Sequence, residues 1–238
     1  MTCISVDNIS KQYGETVALD GLSFTVEEGE LFAFLGPNGA GKTTTIELLT
    51  GQKKPDSGRI EVLGESPSEN PNKVREKVGI LPEKESPADY LTVQGQFEYV
   101  GKARELDESY VEERIDFWVD FFDLREHLNT YNTDLSRGQQ QKVMIAKAFF
   151  HEPELVFIDE PLANLDPIVQ MRVKEYFKQY VEDGNTIFLS THHIEVADEL
   201  CTKVAVIEDG ALTTVKLADE IEQESLTDLF VDEVSIEV

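Results

Sequence analysis

The sequence predicts an α/β fold with a largely parallel sheet, and three observations carry that prediction. Gly36-Pro37-Asn38-Gly39-Ala40-Gly41-Lys42-Thr43-Thr44 fits the phosphate-loop pattern G-x-x-x-x-G-K-[ST] at every fixed position. Several short apolar runs are continuous rather than alternating, as strands buried on both faces of a sheet require. Helical patterns fall between the later runs, which is the order that builds parallel strands with helical crossovers.

Strands are predicted at 4–6, 22–26, 31–35, 59–62, 78–81, 155–158, 186–190 and 204–207. The run Leu31-Phe32-Ala33-Phe34-Leu35 leads straight into the glycine-rich loop, and Thr45-Ile46-Glu47-Leu48-Leu49 continues as a helix after it. Strand, loop and helix in that order are the context the loop needs. From Thr92 to about His151 the pattern is helical throughout, and Val111, Ile115, Trp118 and Phe122 fall on one stripe, read as core packing. The expected organisation is one domain over 1–238. Its β part and loop core occupy 1–91, a helical insertion 92–151, and the rest of the core 152–238, with a short tail at 226–238. Neither a repeat nor a low-complexity linker interrupts it.

Apolar residues make up 40% of the 238, enough for a substantial core. No run approaches the roughly 18 apolar residues of a membrane span, and no basic-then-apolar leader suggests secretion. Cys3 and Cys201 form neither a ligand spacing nor a disulfide framework, so a reducing cytosol is the simplest setting. Twenty-one basic against forty-seven acidic residues give a net charge of −26. Such a surface repels nucleic acid and anionic membranes alike. The acids are scattered over nearly all segments, which favours adaptation to a salt-rich cytosol over a basic partner.

The chemistry begins at the loop. Glycines let successive N–H groups turn inward as an anion nest, and the dipole of the following helix favours negative charge there. Lys42 is placed to reach the β- and γ-phosphates of a nucleotide, and the Thr43 hydroxyl to ligate magnesium. Leu155-Val156-Phe157-Ile158-Asp159-Glu160 is a buried strand ending in two acids. Asp159 would support magnesium, and Glu160 would orient or deprotonate an attacking water. In Leu135-Ser136-Arg137-Gly138-Gln139-Gln140-Gln141 the serine can cap a helix and the glycine permits close approach of a phosphate. One ATP hardly needs two such nests from one chain, so two chains sharing nucleotides are expected.

With these motifs in order along almost the whole chain, the sequence resembles the nucleotide-binding subunit of ATP-binding cassette (ABC) transporters. The resemblance implies a P-loop ATPase core with a small N-terminal antiparallel β part and an inserted helical subdomain. It implies ATP and magnesium as ligands, with Ser136, Gly138 and Gln139 as the signature that completes a partner's site. Tyr13 matches the aromatic that stacks on adenine, with ordinary packing as its rival reading. His192, in Ser190-Thr191-His192, matches the switch histidine at the γ-phosphate, ahead of His193. Asp166, in Leu165-Asp166-Pro167, matches the aspartate that reaches across a dimer. The implied partners are a multi-span membrane permease and a second copy of the chain or a paralogous ATPase subunit, with no nucleic acid. The implied place is the inner face of the cell membrane.

Three positions depart from that pattern. Glu83 stands where a magnesium-contacting glutamine is usual; it keeps an oxygen ligand but adds charge. Arg137 sits inside the signature, and Ala163-Asn164 precedes Leu165-Asp166. Glu83 and the run Ser225-Leu226-Thr227-Asp228-Leu229-Phe230 resemble the drug, polysaccharide and lipid exporter branch. By the same resemblance, the segment 83–99 carries the docking surface for a permease's coupling helix. The rival reading is a soluble ABC ATPase. Its DNA-repair form would need a long coiled coil between the motifs, its ribosomal form two cassettes, and its iron–sulfur assembly form remains open. A small-molecule kinase leaves the signature and His192 unexplained.

Overall fold

The computed structural model describes residues 1–84 and 86–221. The tail at 226–238 and the run from Ser225 to Phe230 lie outside the described residues. Three antiparallel strands open the fold: β1 (Thr2–Tyr13), β2 (Thr16–Glu27) and β4 (Ser57–Val62), in the order β2-β1-β4. β1 and β2 are far longer than the predicted 4–6 and 22–26. The added stretches at 7–13 and 16–21 are mostly exposed or half-buried, with only Ile9 and Leu19 buried, so they carry no continuous apolar run.

The second sheet has six strands. β3 (Leu31–Leu35), β5 (Val78–Leu81), β6 (Leu155–Asp159), β7 (Thr186–Thr191) and β8 (Lys203–Glu208) fall where predicted, within a residue at either end. β9 (Ala211–Leu217) is an addition. The order is β5-β6-β7-β3-β8-β9, parallel except for the antiparallel last pair. Asp209 and Gly210, both at positive φ, turn β8 into β9, the two-residue Asp-Gly hairpin that suits the twist of paired strands. β9 alternates exposed and half-buried residues, as an edge strand does, so it too lacks the signature of a doubly buried run.

Alternation along the central strands builds two cores. Leu31, Ala33 and Leu35 of β3, Val156 and Ile158 of β6, Ile187 and Leu189 of β7 face the helices. Phe32, Phe34, Phe157 and Phe188 face the antiparallel sheet, where Phe24 stacks on Phe32 at 5.5 Å between ring centroids. α1 (Lys42–Leu49) lies in this second core, with Ile46, Leu48 and Leu49 buried. A short α2 (Pro71–Lys77) begins on a proline, whose fixed φ suits the first helical turn.

Between β5 and β6 run α3 (Val93–Ala103), α4 (Glu108–Phe121) and α5 (Arg137–Phe149), with two single 3₁₀ turns in the connection from α4 to α5. Trp118 and Phe122 are fully buried and Val111 nearly so, while Ile115 packs against them half-buried. Arg114 fastens α4 to the end of α5: its guanidinium donates to the Phe149 and Phe150 carbonyls and pairs with Glu152 at 2.7 Å. α6 (Pro167–Glu182), α7 (Ile194–Leu200) and α8 (Ala218–Ile221) complete the elements. Among the described residues no helix is long and apolar enough to cross a membrane. Cys3 and Cys201 are both buried free thiols.

Candidate functional site

β3 lies between β7 and β8, and β6 lies on the far side of β7. The carboxyl ends of β3, β6 and β7 therefore open on one crevice, the place where open α/β sheets hold ligands. Each strand delivers one piece of chemistry there. β3 runs into the glycine loop, β6 ends in Asp159 followed by Glu160, and β7 ends in Thr191 followed by His192.

The loop is built for close backbone approach. A Cβ on Gly36 would stand 2.3 Å from the Ile207 carbonyl oxygen, and one on Gly41 would stand 2.7 Å from that of Ala18. Gly41, at φ 108°, caps α1 in a conformation that side chains resist. Lys42 is buried, its ammonium donating to the Gly36 carbonyl at 2.7 Å and the Pro37 carbonyl at 3.0 Å. Burial pulls its pKa down, and the carboxylates of Glu160, Asp159 and Glu83 oppose that shift. Ala40 is buried, and its carbonyl accepts from Gly210.

Asp159 is 3% exposed and doubly held. The Thr43 hydroxyl donates to one carboxylate oxygen at 2.8 Å, and Ser190 to the other at 2.6 Å. Thr43 and Asp159 thus bring hard oxygen donors together beside the loop, the chemistry magnesium prefers. Glu160 leaves the strand in the left-handed region at φ 51°, a conformation costing a non-glycine residue about 1 kcal/mol. Its N–H still bonds the Ser190 carbonyl at 3.1 Å. Its carboxylate accepts from the Thr191 hydroxyl at 3.1 Å and the His192 N–H at 2.9 Å, and lies 2.6 Å from His192 Nδ1.

A cleft of about 510 Å³ joins Asn38, Gly39, Gly41, Lys42, Thr43, Thr44, Glu83, Asp159, Glu160 and His192. Thr16, Val17, Ala18 and Lys84 also line it, beyond the expected site residues. Ser190 and Thr191 likewise lie outside the expected site residues, yet their hydroxyls orient the two acids. Their sign in the sequence is two hydroxyls at the polar end of an otherwise apolar strand. Glu83 is exposed, with Lys84 3.9 Å away.

The other expected site residues stand outside this cleft. Tyr13 is 39% exposed, and its ring carries the Lys53 ammonium at 4.7 Å and that of Lys11 at 5.6 Å. Ser136 caps α5 in a reciprocal box: its Oγ accepts from Gln139 N–H at 3.3 Å, and Gln139 Oε1 accepts from Ser136 N–H at 2.9 Å. Gly138 lies against the Asn164 carbonyl, which a Cβ would approach to 2.9 Å. Gln141 donates to the Pro161 carbonyl at 2.9 Å, tying this helix to the segment after Glu160. Asp166 caps α6, accepting from Ile168 and Val169 N–H at 3.1 Å each. Ser136, Arg137 and Asp166 are exposed.

A phosphate loop after a central parallel strand, with an acid-ended strand and a histidine-ended strand beside it, defines a P-loop ATP-binding protein. Comparison with known proteins narrows this: a profile described as ABC transporter matches residues 19–163, and the chain belongs to that family. It is similar to the Nod factor export ATP-binding protein I of Ralstonia nicotianae, 33% identical over 207 residues, covering 87% of this chain and 64% of that protein. The same-named protein of Sinorhizobium fredii is 37% identical over 87% of this chain and 60% of its own length. The chain thus spans just under two thirds of these two relatives. The daunorubicin resistance ATP-binding protein DrrA3 of Streptomyces coeruleorubidus is 34% identical over 94% of the chain and 71% of its own length. Among solved structures, an ATP-binding subunit of an ABC transporter superposes with a TM-score of 0.90 at 31% identity, covering 98% of this chain and 99% of that one.

Proposed function

We propose that the chain is the ATP-binding and ATP-hydrolysing subunit of a membrane ABC transporter of exporter type, driven by head-to-tail closure of two cassettes. The observation that carries this reading is the division of the site. Lys42, Thr43, Asp159, Glu160 and His192 share one cleft, while Ser136 and Arg137 at the start of α5 and Asp166 are exposed outside it. A second copy of the chain, or a paralogous ATPase subunit, would supply those groups to a nucleotide held by the loop. The relatives' names, Nod factor export and daunorubicin resistance, support export over a soluble iron–sulfur assembly factor.

In this reading residues 36–44 cradle the phosphates of ATP, with Lys42 neutralising charge, and Tyr13 stacks on adenine. Magnesium would be held by Thr43, Asp159 and Glu83, where it would screen the phosphate charge. Glu160, oriented by Thr191 and His192, takes the proton from the attacking water. His192 reaches toward the γ-phosphate from the end of β7. Ser136, Gly138 and Gln139 close on the partner's nucleotide through the N-terminus of α5, and Asp166 meets the partner chain. We also propose the division into a β and loop core over 1–91, a helical subdomain over 92–151, and the remaining core over 152–238. The segment 83–99, with Tyr90 and Tyr99 exposed, would dock the permease that holds the protein at the inner membrane face.

Purification of a tagged Glu160→Gln variant from its native host, in high salt with ATP, tests the partner. A co-purifying multi-span membrane protein is the expected result. Soluble partners alone, with the chain absent from membranes, would move it to the non-transport ATPases.

The net charge of −26 is proposed to reflect a salt-rich cytosol. Salt shortens the reach of carboxylate repulsion to a few ångströms at molar strength. The thermal unfolding midpoint should therefore rise by several degrees from dilute buffer to molar KCl. A flat or falling midpoint would reject the idea.

A further inference from the structure

We propose that Glu160, His192 and His193 form a site for a borderline-soft divalent transition ion such as Zn²⁺, and that the ion arrests turnover when it binds. One carboxylate oxygen and one nitrogen from each imidazole all lie within 4.8 Å of one another. No other such trio of His, Cys, Asp or Glu occurs among the described residues. His192 Nδ1 is 2.6 Å from Glu160 Oε1, and the two imidazole rings are 4.0 Å apart between centroids, tilted by 37°.

The backbone explains the gathering. Two successive residues of a strand project to opposite faces, but β7 ends at Thr191 and His193 is already the cap of α7. The turn between them brings both rings to one side. Glu160 reaches them because its left-handed backbone takes it out of the strand direction of β6. Bonds of 2.0–2.2 Å at a tetrahedral centre require donor atoms about 3.3 Å apart. The 40% exposed His192 and the exposed His193 can rotate into that spacing, and solvent can deliver the ion.

Donor chemistry separates this ion from magnesium. Two imidazoles and a carboxylate suit Zn²⁺, Ni²⁺ or Cu²⁺, whereas the Thr43 and Asp159 oxygens suit Mg²⁺. His193 has no part in the hydrolytic arrangement above, so the site adds a function to a residue that arrangement leaves idle. An ion seated there engages the carboxylate of Glu160 and the Nδ1 face of His192 together. The inhibitory half of this proposal rests on the hydrolytic role given to Glu160; the binding half does not.

Titration of the full chain with Co²⁺ in excess Mg²⁺, followed by visible absorption and competed with Zn²⁺, reads binding directly. One Co²⁺ per chain is expected, with His193→Gln and His192→Gln each weakening it about tenfold or more. Equal Co²⁺ affinity in His193→Gln and the unaltered chain would overturn the site. In a parallel ATPase assay, Zn²⁺ should inhibit the unaltered chain, while His193→Gln hydrolyses ATP at the unaltered rate and resists Zn²⁺. Intact Co²⁺ binding with no loss of turnover under Zn²⁺ would overturn the inhibitory half alone and count against Glu160 as the base. Failure of Co²⁺ to bind would leave the hydrolytic reading untouched.

Discussion

Glu160→Gln is expected to bind ATP normally and to hydrolyse it about 10²–10⁴-fold more slowly, the usual worth of a general base. The amide keeps the shape of the carboxylate, and its oxygen can still accept from the His192 N–H that now bonds Glu160 at 2.9 Å. Thr191 can rotate its hydroxyl to accept from the new NH₂ group. What the amide cannot do is take a proton. The site would therefore assemble and stall, and a closed dimer should accumulate with ATP, visible by sedimentation, while single-turnover hydrolysis falls. Normal turnover in this variant would remove Glu160 from the base role. Its burial, 13% exposed, favours that role, because a mostly shielded carboxylate interacts more strongly with one water than a solvated one does.

Lys42→Ala should weaken ATP affinity by about ten- to a hundredfold, the worth of a charged hydrogen bond of roughly 1.5–3 kcal/mol. The structure gives the reason for so large an effect. The carboxylates of Glu160, Asp159 and Glu83 all act on the Lys42 ammonium. Without that cation the three carboxylates face a polyanionic ligand, and Lys84 is the one lysine left lining the cleft. The carbonyls of Gly36 and Pro37 also lose their donor. Calorimetric titration with ATP and with adenosine separates the causes: ATP affinity should collapse while weak adenosine binding stays level. Unchanged ATP affinity would reject the loop assignment.

Both variants touch residues that the sequence alone singled out, because the chemistry of a phosphate loop is local. Seven or eight neighbouring residues curl into a nest, and their types can be read in order. The acid pair at 159–160 and the histidine at 192 are similarly announced by the apolar strands they follow. The residues that position them were less legible. Ser190 and Thr191 look like the polar end of a strand until register places Ser190 opposite Asp159. The Asp-Gly turn at 209–210 is a hairpin signal, but β9 beyond it alternates exposed and half-buried residues and so lacks the apolar run of a doubly buried strand.

The sequence by itself determined the class of chain: a phosphate loop, a buried acid-ended strand, a signature serine and glycine, and helices inserted between them. Only the tertiary structure decided how these meet. Thr43 bonds Asp159 across 116 residues because β3 and β6 flank the same strand. The left-handed turn at Glu160, and the two histidines brought to one side, likewise arise from how β6 and β7 end together. A motif states which groups are available. Strand order and register, set by the packing of two cores on one sheet, determine which groups come within reach of one another, and here they leave Ser136 exposed, outside the cleft that holds Lys42 and Glu160.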